Sequence, residues 1–257
     1  MRSIYDPDHV RVSDDLRWSL TITPDGPTTP PVQWTDRLRS GLLGDGIHLL
    51  GVTQPHAGTL GFDVSTPPSV APADIVWLCR GALQDSLRTR KKLQLRRKFR
   101  LSSVGGETTD AGDRFIAGRL ERRSTSGVSE HRGHRRSSPR RIDHGIHDLT
   151  LRIVAVHDKR FRTMRGADRE TTMRAILDTA AKYDHDPIEV TAAPDHSWIV
   201  VDIPAERSPD EVALSYLNNV AFRHGMRPVF ERGYHIETVT SDGMGRCGAD
   251  RSRGASR

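Results

Sequence analysis

The chain has 257 residues, which is enough for one large domain or two domains of ordinary size. Only 35 % of the residues are apolar, no apolar run approaches the ~20 residues of a membrane span, and the acidic N-terminus does not resemble a signal peptide. Two cysteines, Cys79 and Cys247, are too few for a disulfide framework or a zinc cluster. We therefore expect a cytoplasmic protein with no membrane partner.

Positive charge is concentrated in two segments of the chain. The net charge is +6, from 39 Lys and Arg against 33 Asp and Glu. Residues 88–100 contain eight Lys or Arg and no acid, and residues 119–141 contain eight Arg and two Glu. Such clusters attract phosphate backbones, although a solvated basic run without a ligand is the alternative.

The first half of the chain predicts alternating strands and helices. Residues 1–16 are polar, and we expect them to be flexible. Alternating apolar and polar residues from Trp18 to Thr23 are typical of a half-buried strand, and a Pro/Thr-rich loop follows from Pro24 to Pro31. The other predicted elements are strands at Ile47–Val52, Leu60–Val64 and Phe99–Val104, and helices at Trp34–Leu43, Pro72–Arg88 and Asp110–Leu120.

Residues 121–146 interrupt this pattern. Arg, Ser, Gly and His dominate there, which is the composition of a linker. A frame-shifted join between two formerly separate genes would give the same composition, and the sequence leaves both explanations open. We expect the four histidines near this segment to be incidental rather than metal ligands.

The second half predicts the order β-α-β-β-α-β, a ferredoxin-like unit. Ser208, Pro209 and Glu211 form the capping box of one helix. We expect core positions for Trp77 and Trp198. The predicted strands are Leu149–Val156, Pro187–Ala192, Trp198–Ile203 and Tyr234–Thr240, the helices are Asp168–Tyr183 and Pro209–His224, and a Gly/Arg/Ser-rich tail is expected from residue 243 to 257.

One block of sequence occurs twice. Val64, Pro67 and Pro72 recur as Val201, Pro204 and Pro209, and each pair is 137 residues apart. In both blocks an apolar strand is followed by a Pro-containing turn and a helix. A repeat this long indicates two copies of a domain rather than a solenoid. We therefore predict an α+β fold of two tandem ferredoxin-like units, copy one at residues 17–120 and copy two at residues 147–242, each with an antiparallel sheet and helices on one face.

These blocks resemble a family. Its members have an Asp-His-x-His strand, a Pro-Pro turn, a helix, a strand that ends in Ser-Val-Gly-Gly, and a last helix that carries a tyrosine and, four residues later, a glutamine. Val64–Pro68 and Ser102–Gly106 match this series in copy one. Pro194–His196 and Trp198–Pro204 match it in copy two, with Ser208 and Pro209 opening the helix. The chain thus resembles the single-tyrosine HUH transposases of the smallest insertion sequences and the REP-associated tyrosine transposases.

The resemblance implies a site in which a histidine pair and the glutamine hold Mg²⁺ or Mn²⁺ and the tyrosine attacks a DNA phosphate. It also implies a dimer in which the tyrosine helix of one subunit serves the histidine pair of the other. The matching positions of this chain differ. The tyrosine position is Phe115, the glutamine position is Arg119, copy one has Thr59–Gly61 at the histidine pair, and copy two retains His196 alone.

These departures leave three hypotheses. The first is a transposase-like protein that binds single-stranded or hairpin DNA without cutting it and needs no cofactor, as an intramolecular pseudo-dimer or a homodimer. The second is an active metal-dependent transposase that uses Asp195, His196 and Tyr234, although Asp195 should project to the opposite strand face unless a bulge at the strand end redirects it. The third is an RNA-binding ferredoxin-like module. The predicted nucleic-acid contacts are Arg88, Arg90, Lys91, Lys92, Arg96, Arg97, Lys98 and Arg100.

Overall fold

A computed structural model describes most of the chain. It covers residues 3–8, 10–13, 15–24, 34–56, 58–86, 95–105, 110–121, 124, 127–142, 145–162 and 164–240. The predicted tail at 243–257 and nearly all of the predicted loop at Pro24–Pro31 lie outside these residues. None of the helices in the described ranges is both long enough and apolar enough to cross a membrane.

Twelve strands and five helices are observed in the described residues. The strands are β1 (Arg11–Ser13), β2 (Leu16–Pro24), β3 (His48–His56), β4 (Thr59–Thr66), β5 (Leu95–Ser103), β6 (Ser129–Arg132), β7 (Arg140–Ile142), β8 (Gly145–Asp148), β9 (Thr150–His157), β10 (Asp186–Ala192), β11 (His196–Asp202) and β12 (Phe230–Val239). The helices are α1 (Thr35–Leu43), α2 (Pro72–Ser86), α3 (Asp110–Ala117), α4 (Gly166–Lys182) and α5 (Pro209–Arg223).

The strands form two sheets with the same central topology. The first sheet has the order β3-β4-β2-β5-β8-β7, and the second has the order β1-β12-β9-β11-β10-β6. In each, four strands with two intervening helices form an antiparallel β-α-β-β-α-β unit. The predicted fold class is therefore confirmed. We call β2–β5 with α1 and α2 the first unit, and β9–β12 with α4 and α5 the second unit.

Alternation along the strands determines which face of each sheet meets the helices. In β2, the fully buried Trp18, Leu20 and Ile22 pack on α1 and α2, which contribute Leu38 and Ile75 among others. The predicted capping box starts α5 in the second unit: the Ser208 backbone N–H donates to Glu211 at 3.3 Å. We call the sheet face turned away from these helices the outer face.

The segment that precedes each unit adds a strand to the sheet of the other unit. The strand β1, which precedes the first unit, pairs in parallel with β12 of the second unit, with Val12 opposite Tyr234. The strand β8, which precedes the second unit, pairs in parallel with β5 of the first unit, with Gly145 opposite Phe99. Tyr5 is also buried against the second unit. Residues 1–16 were expected to be flexible; instead, β1 of this segment is part of the second sheet and Leu16 begins β2 of the first sheet.

The predicted linker at residues 121–146 also contributes structure. Its strand β6 pairs with β10, and its strand β7 pairs with β8. Three arginines of this segment bind carboxylates of the second unit and its leading strand: Arg135 contacts Asp148 at 2.5 Å, and Arg136 and Arg140 contact Asp186 at 2.5 and 2.7 Å. Because ion pairs and backbone pairing hold β6 and β7, this segment lacks the apolar alternation that predicts strands.

Hydrogen bonds between the two units come in reciprocal pairs. Ala73 N–H donates to the Ala205 carbonyl at 2.9 Å, and Asp210 N–H donates to the Pro68 carbonyl at 3.1 Å. Asp210 lies 137 residues after Ala73, and Ala205 lies 137 residues after Pro68. Equivalent positions of the two units therefore donate and accept the same pair of hydrogen bonds, as in an isologous dimer.

The ends of β5 and β12 repeat this reciprocity. The Ser103 hydroxyl donates to the Val239 carbonyl, and the Thr238 hydroxyl donates to the Val104 carbonyl, both at 2.7 Å. Ser103 and Thr238 are equivalent, because Ser103 pairs with Trp18 of β2 and Thr238 pairs with Leu151 of β9. Gly105 follows directly, and a Cβ atom there would lie 1.9 Å from the Thr238 carbonyl oxygen. The join requires glycine for this close approach of two backbones.

Candidate functional site

The helix α3 follows the first unit but packs on the outer face of the second sheet. Ile116, on α3, and Leu120, just beyond it, form a separate apolar cluster with Val154 and Trp198 of β9 and β11. A Cβ at Gly112 would meet the Trp198 ring at 3.0 Å, so the helix approaches the sheet closely. The helix that carries the predicted nucleophile position thus lies on the sheet of the other unit.

Phe115 lies between two side chains of this interface. The Phe115 ring centroid is 5.8 Å from that of His235 on β12. The guanidinium of Arg119, which follows α3 in the chain, lies 3.8 Å from the same ring centroid. Arg119 contacts Glu231 at 3.4 Å, and Arg162 contacts the same carboxylate at 2.5 Å. A phenyl ring without a hydroxyl and a paired guanidinium therefore occupy the positions where the resemblance implies a nucleophile and a metal ligand.

His196 lies on the same outer face, at the start of β11, and is 2 % exposed. Its Nδ1 is 2.6 Å from Asp195 Oδ1, and Asp195 Oδ2 accepts a hydrogen bond of 2.6 Å from the Ser124 backbone N–H. The Asp195 carboxylate reaches His196 at the strand end rather than projecting to the opposite face as predicted. Asp195 thereby connects His196 to the segment that follows α3.

The neighbouring histidine, His157, lies on the inner face of the second sheet. Its Nδ1 is 3.0 Å from the Pro194 carbonyl oxygen, and its Nε2 is 3.0 Å from the Ser197 hydroxyl. Burial lowers the pKa of His157 to about 4, so the ring is neutral at pH 7. Both ring nitrogens are engaged, which makes His157 a structural residue.

Tyr234 cannot join His196 in one site. It lies on the inner face of the second sheet, opposite Ala155, and burial raises the pKa of its hydroxyl well above the usual range. His196 is on the outer face of the same sheet. The constellation of Asp195, His196 and Tyr234 that the second hypothesis requires is therefore not assembled. No group of three or more potential metal-ligating side chains occurs in the described part of the chain.

The equivalent outer face of the first sheet carries cations instead of an apolar cluster. Lys98 and Arg100 are exposed on β5, and Arg17 is exposed at the start of the adjacent β2. No ion pair joins these three cations to a carboxylate of the described residues. Arg17 was not among the predicted nucleic-acid contacts, although the alternation that predicts β2 also places Arg17 on the face opposite Trp18.

The other predicted nucleic-acid contacts are only partly placed. Arg96 and Arg97 lie on β5, and their side chains are outside the described part of the structure. Arg88, Arg90, Lys91 and Lys92 fall outside the described residues altogether.

Five of the eight arginines in the second basic stretch, residues 119–141, form ion pairs with carboxylates: Arg119, Arg132, Arg135, Arg136 and Arg140. The first stretch therefore remains the candidate for binding phosphates.

Trp77 departs from its expected core position. Its side chain is 58 % exposed on α2, with the Arg80 guanidinium 5.0 Å from the ring centroid. Trp198 is 8 % exposed, as expected for a core residue. The apolar face of α2 instead buries Val76 beside Ile75 and Cys79, which rotates Trp77 away from the sheet.

No protein-family model matches the sequence, and no curated protein matches it. Among solved structures, the chain is similar to a candidate transposase from Deinococcus radiodurans R1, with 12 % identity over 36 % of this chain and 80 % of that chain and a TM-score of 0.33. It is also similar to a REP-associated tyrosine transposase bound to a REP hairpin, with 9 % identity, 36 % and 56 % coverage and a TM-score of 0.32. The regulatory subunit of aspartate kinase from Thermus flavus matches with 12 % identity, 82 % and 94 % coverage and a TM-score of 0.22. At such identities these likenesses concern the arrangement of strands and helices alone.

Proposed function

We propose that this chain is a transposase-like, intramolecular pseudo-dimer that binds single-stranded or hairpin DNA on the outer face of its first sheet and does not cleave it. The observation that carries the proposal is the difference between the two outer faces. The second sheet is closed by α3 and the apolar cluster around Trp198, whereas the first sheet presents Arg17, Lys98 and Arg100.

The arrangement of α3 supports the loss of cleavage. Phosphodiester attack by a tyrosine needs a hydroxyl beside a bound cation. Phe115 supplies no hydroxyl, and the guanidinium of Arg119 places a positive charge where a cation ligand would be needed. Burial of His196 under the same interface leaves one imidazole, which holds Mg²⁺ or Mn²⁺ poorly by itself.

The composition of the open face favours backbone contacts over base stacking. The described outer-face positions of its central strands include Ser19, Thr21, Asp63 and Ser65 beside the three cations, and no described outer-face position on β2, β4 or β5 is aromatic. Modules that bind RNA through a ferredoxin-like sheet stack bases on exposed aromatic side chains. Lys and Arg on a polar face instead predict phosphate contacts with strong salt dependence.

Fluorescence anisotropy with a labelled hairpin that carries a single-stranded flank tests binding. The double variant Lys98→Gln/Arg100→Gln should weaken binding, and its plot of log K against log salt should be less steep by about 1.4, because each phosphate contact on a single strand contributes about 0.7. The matched control is Arg174→Gln/Arg227→Gln, which removes two exposed cations of the second unit. Equal binding by both double variants would exclude the proposed face.

Incubation of the same DNA with Mn²⁺, followed by denaturing electrophoresis, tests the absence of cleavage. We expect neither a shortened strand nor a covalent protein–DNA adduct. An adduct at any tyrosine would overturn the non-cleaving assignment while leaving the binding result intact. Competition by an RNA hairpin of the same sequence at equal affinity would favour the RNA-binding hypothesis.

A further inference from the structure

A cavity of about 730 Å³ lies on the helix side of the second unit. The three cations of the proposed DNA-binding face lie instead on the outer face of the first sheet. The volume of the cavity is within the range of small-molecule sites. The N-terminal segment forms one wall and is held by Asn218 of α5. The backbone N–H groups of Ile4 and Tyr5 donate to Asn218 Oδ1 at 2.8 and 2.9 Å, and Asn218 Nδ2 donates to the Tyr5 carbonyl at 2.9 Å. Three hydrogen bonds with Asn218 therefore hold the N-terminal segment in place as this wall of the cavity.

One end of the cavity is cationic. The Lys182 ammonium is 4.9 Å and the Arg207 guanidinium 4.4 Å from the Tyr183 ring centroid, and neither forms an ion pair with a carboxylate of the described residues. Burial alone would raise the pKa of Tyr183, but the hydrogen bond from Lys182 and the charges of both cations lower it. Glu211 also lines the cavity, and its carboxylate is bound to the Ser208 N–H. With two cations against this one carboxylate, the charged side chains that line the cavity carry a net charge of +1.

The other end of the cavity is apolar and open. Phe222 is 46 % exposed and Met226 is 42 % exposed, which is unusual for large apolar side chains, and Leu214 continues the same surface along α5. Phe222 supplies a flat face on which a ring can stack. A cationic end and an aromatic end within one cavity match a ligand that has an anionic group on a flat apolar body.

The first unit provides an internal comparison. The corresponding groove on α2 measures about 430 Å³ and has Asp85 where α5 has Phe222, and Gly81 where α5 has Asn218. A carboxylate replaces the aromatic face, and the amide that would hold a peptide wall is missing. The lining of the second-unit cavity therefore does not follow from the fold alone.

We propose that the second-unit cavity binds a small organic anion, with its negative group on Lys182 and Arg207 and its flat body on Phe222 and Met226. A nucleoside monophosphate combines an anionic group with a flat ring and is therefore a suitable probe. The site is separate from the proposed DNA-binding face and does not depend on it.

Methyl NMR of protein labelled with [¹³C-methyl]methionine tests the proposal, because Met226 lines the cavity and Met164, which is 5 % exposed, serves as an internal reference. Thymidine 5′-monophosphate should shift the Met226 signal saturably and leave Met164 unchanged. Arg207→Gln should raise the dissociation constant about tenfold, as expected for loss of a charge-assisted contact. Arg174→Gln, which removes an exposed cation from α4, should leave it unchanged.

Thymidine and inorganic phosphate separate the two halves of the ligand. Both should bind more weakly than the monophosphate, and equal binding by either one would overturn the proposal, as would the absence of a saturable Met226 shift at millimolar concentrations. The variant Lys98→Gln/Arg100→Gln should weaken DNA binding and leave nucleotide binding unchanged. Loss of the nucleotide in that variant would place the ligand on the first sheet and refute the cavity site.

Discussion

Replacement of Gly105 by alanine tests whether the reciprocal join between the two units holds the molecule together. The added Cβ would lie 1.9 Å from the Thr238 carbonyl oxygen and 2.6 Å from Val239 Cα. Carbon and oxygen normally stay about 3.3 Å or more apart, so the two backbones must separate by about 1.4 Å. Overpacking of this kind costs roughly 1–3 kcal/mol, and weakening of the Ser103 and Thr238 hydrogen bonds adds about 1 kcal/mol each.

We therefore expect Gly105→Ala to lower the free energy of unfolding by about 3 kcal/mol or more, which corresponds to roughly 6–12 °C in Tm for a chain of this size. Thermal unfolding followed by circular dichroism measures this shift. Gly81→Ala is the matched control, because a Cβ there meets nothing within 4 Å and alanine favours the α2 helix by about 1 kcal/mol. A Tm for Gly105→Ala within 2 °C or so of the parent would refute the close join, since no compensating contact is available.

Three further outcomes follow from the interface and the buried histidines. Phe115→Tyr should give no covalent DNA adduct on a denaturing gel, because the hydroxyl would enter a packed interface without an assembled metal site; an adduct would mean that the site was aligned wrongly. Trp198→Ala should cost about 3–5 kcal/mol in urea unfolding, because the ring is buried under α3, and a cost below about 1 kcal/mol would show that α3 does not pack there. Burial lowers the pKa of both His157 and His185 to about 4, below an unfolded value of about 6.5, so the unfolded chain takes up protons first as the pH falls. Stability should therefore decline between about pH 6.5 and pH 4, by up to about 3 kcal/mol per histidine, and a Tm that stays constant over this range would contradict the assignment.

Local patterns predicted the central elements because the required signals lie close together in the chain. The alternation around Trp18 indicates β2, and Ser208, Pro209 and Glu211 indicate the start of α5. The exchanged strands carry no comparable signal. β1 has three residues, and its partner on β12 lies more than 200 positions later, so nothing near Val12 in sequence reports the pairing.

The candidate site could be predicted in part for the same reason. The motif order identified the positions of Phe115 and His196, and the charge run identified Lys98 and Arg100. The contacts that decide their chemistry are contributed by the other unit: His235 beside Phe115, and Glu231 beside Arg119. Side chains so distant in sequence can be assigned to one site only when the packing of α3 on the second sheet is known.

The pairing of β1 with β12 also constrains how this protein is made. Arg11 leaves the ribosome well before its partner Gly233 is synthesised. At roughly 5–20 residues per second, the leading strand waits on the order of 10 to 40 s before its partner has been synthesised. During that time β1 has no partner strand, and a chaperone or another nascent copy can pair with its exposed backbone groups. Synthesis of β12 in the second unit, rather than completion of the first unit, is therefore the event that gives β1 its partner.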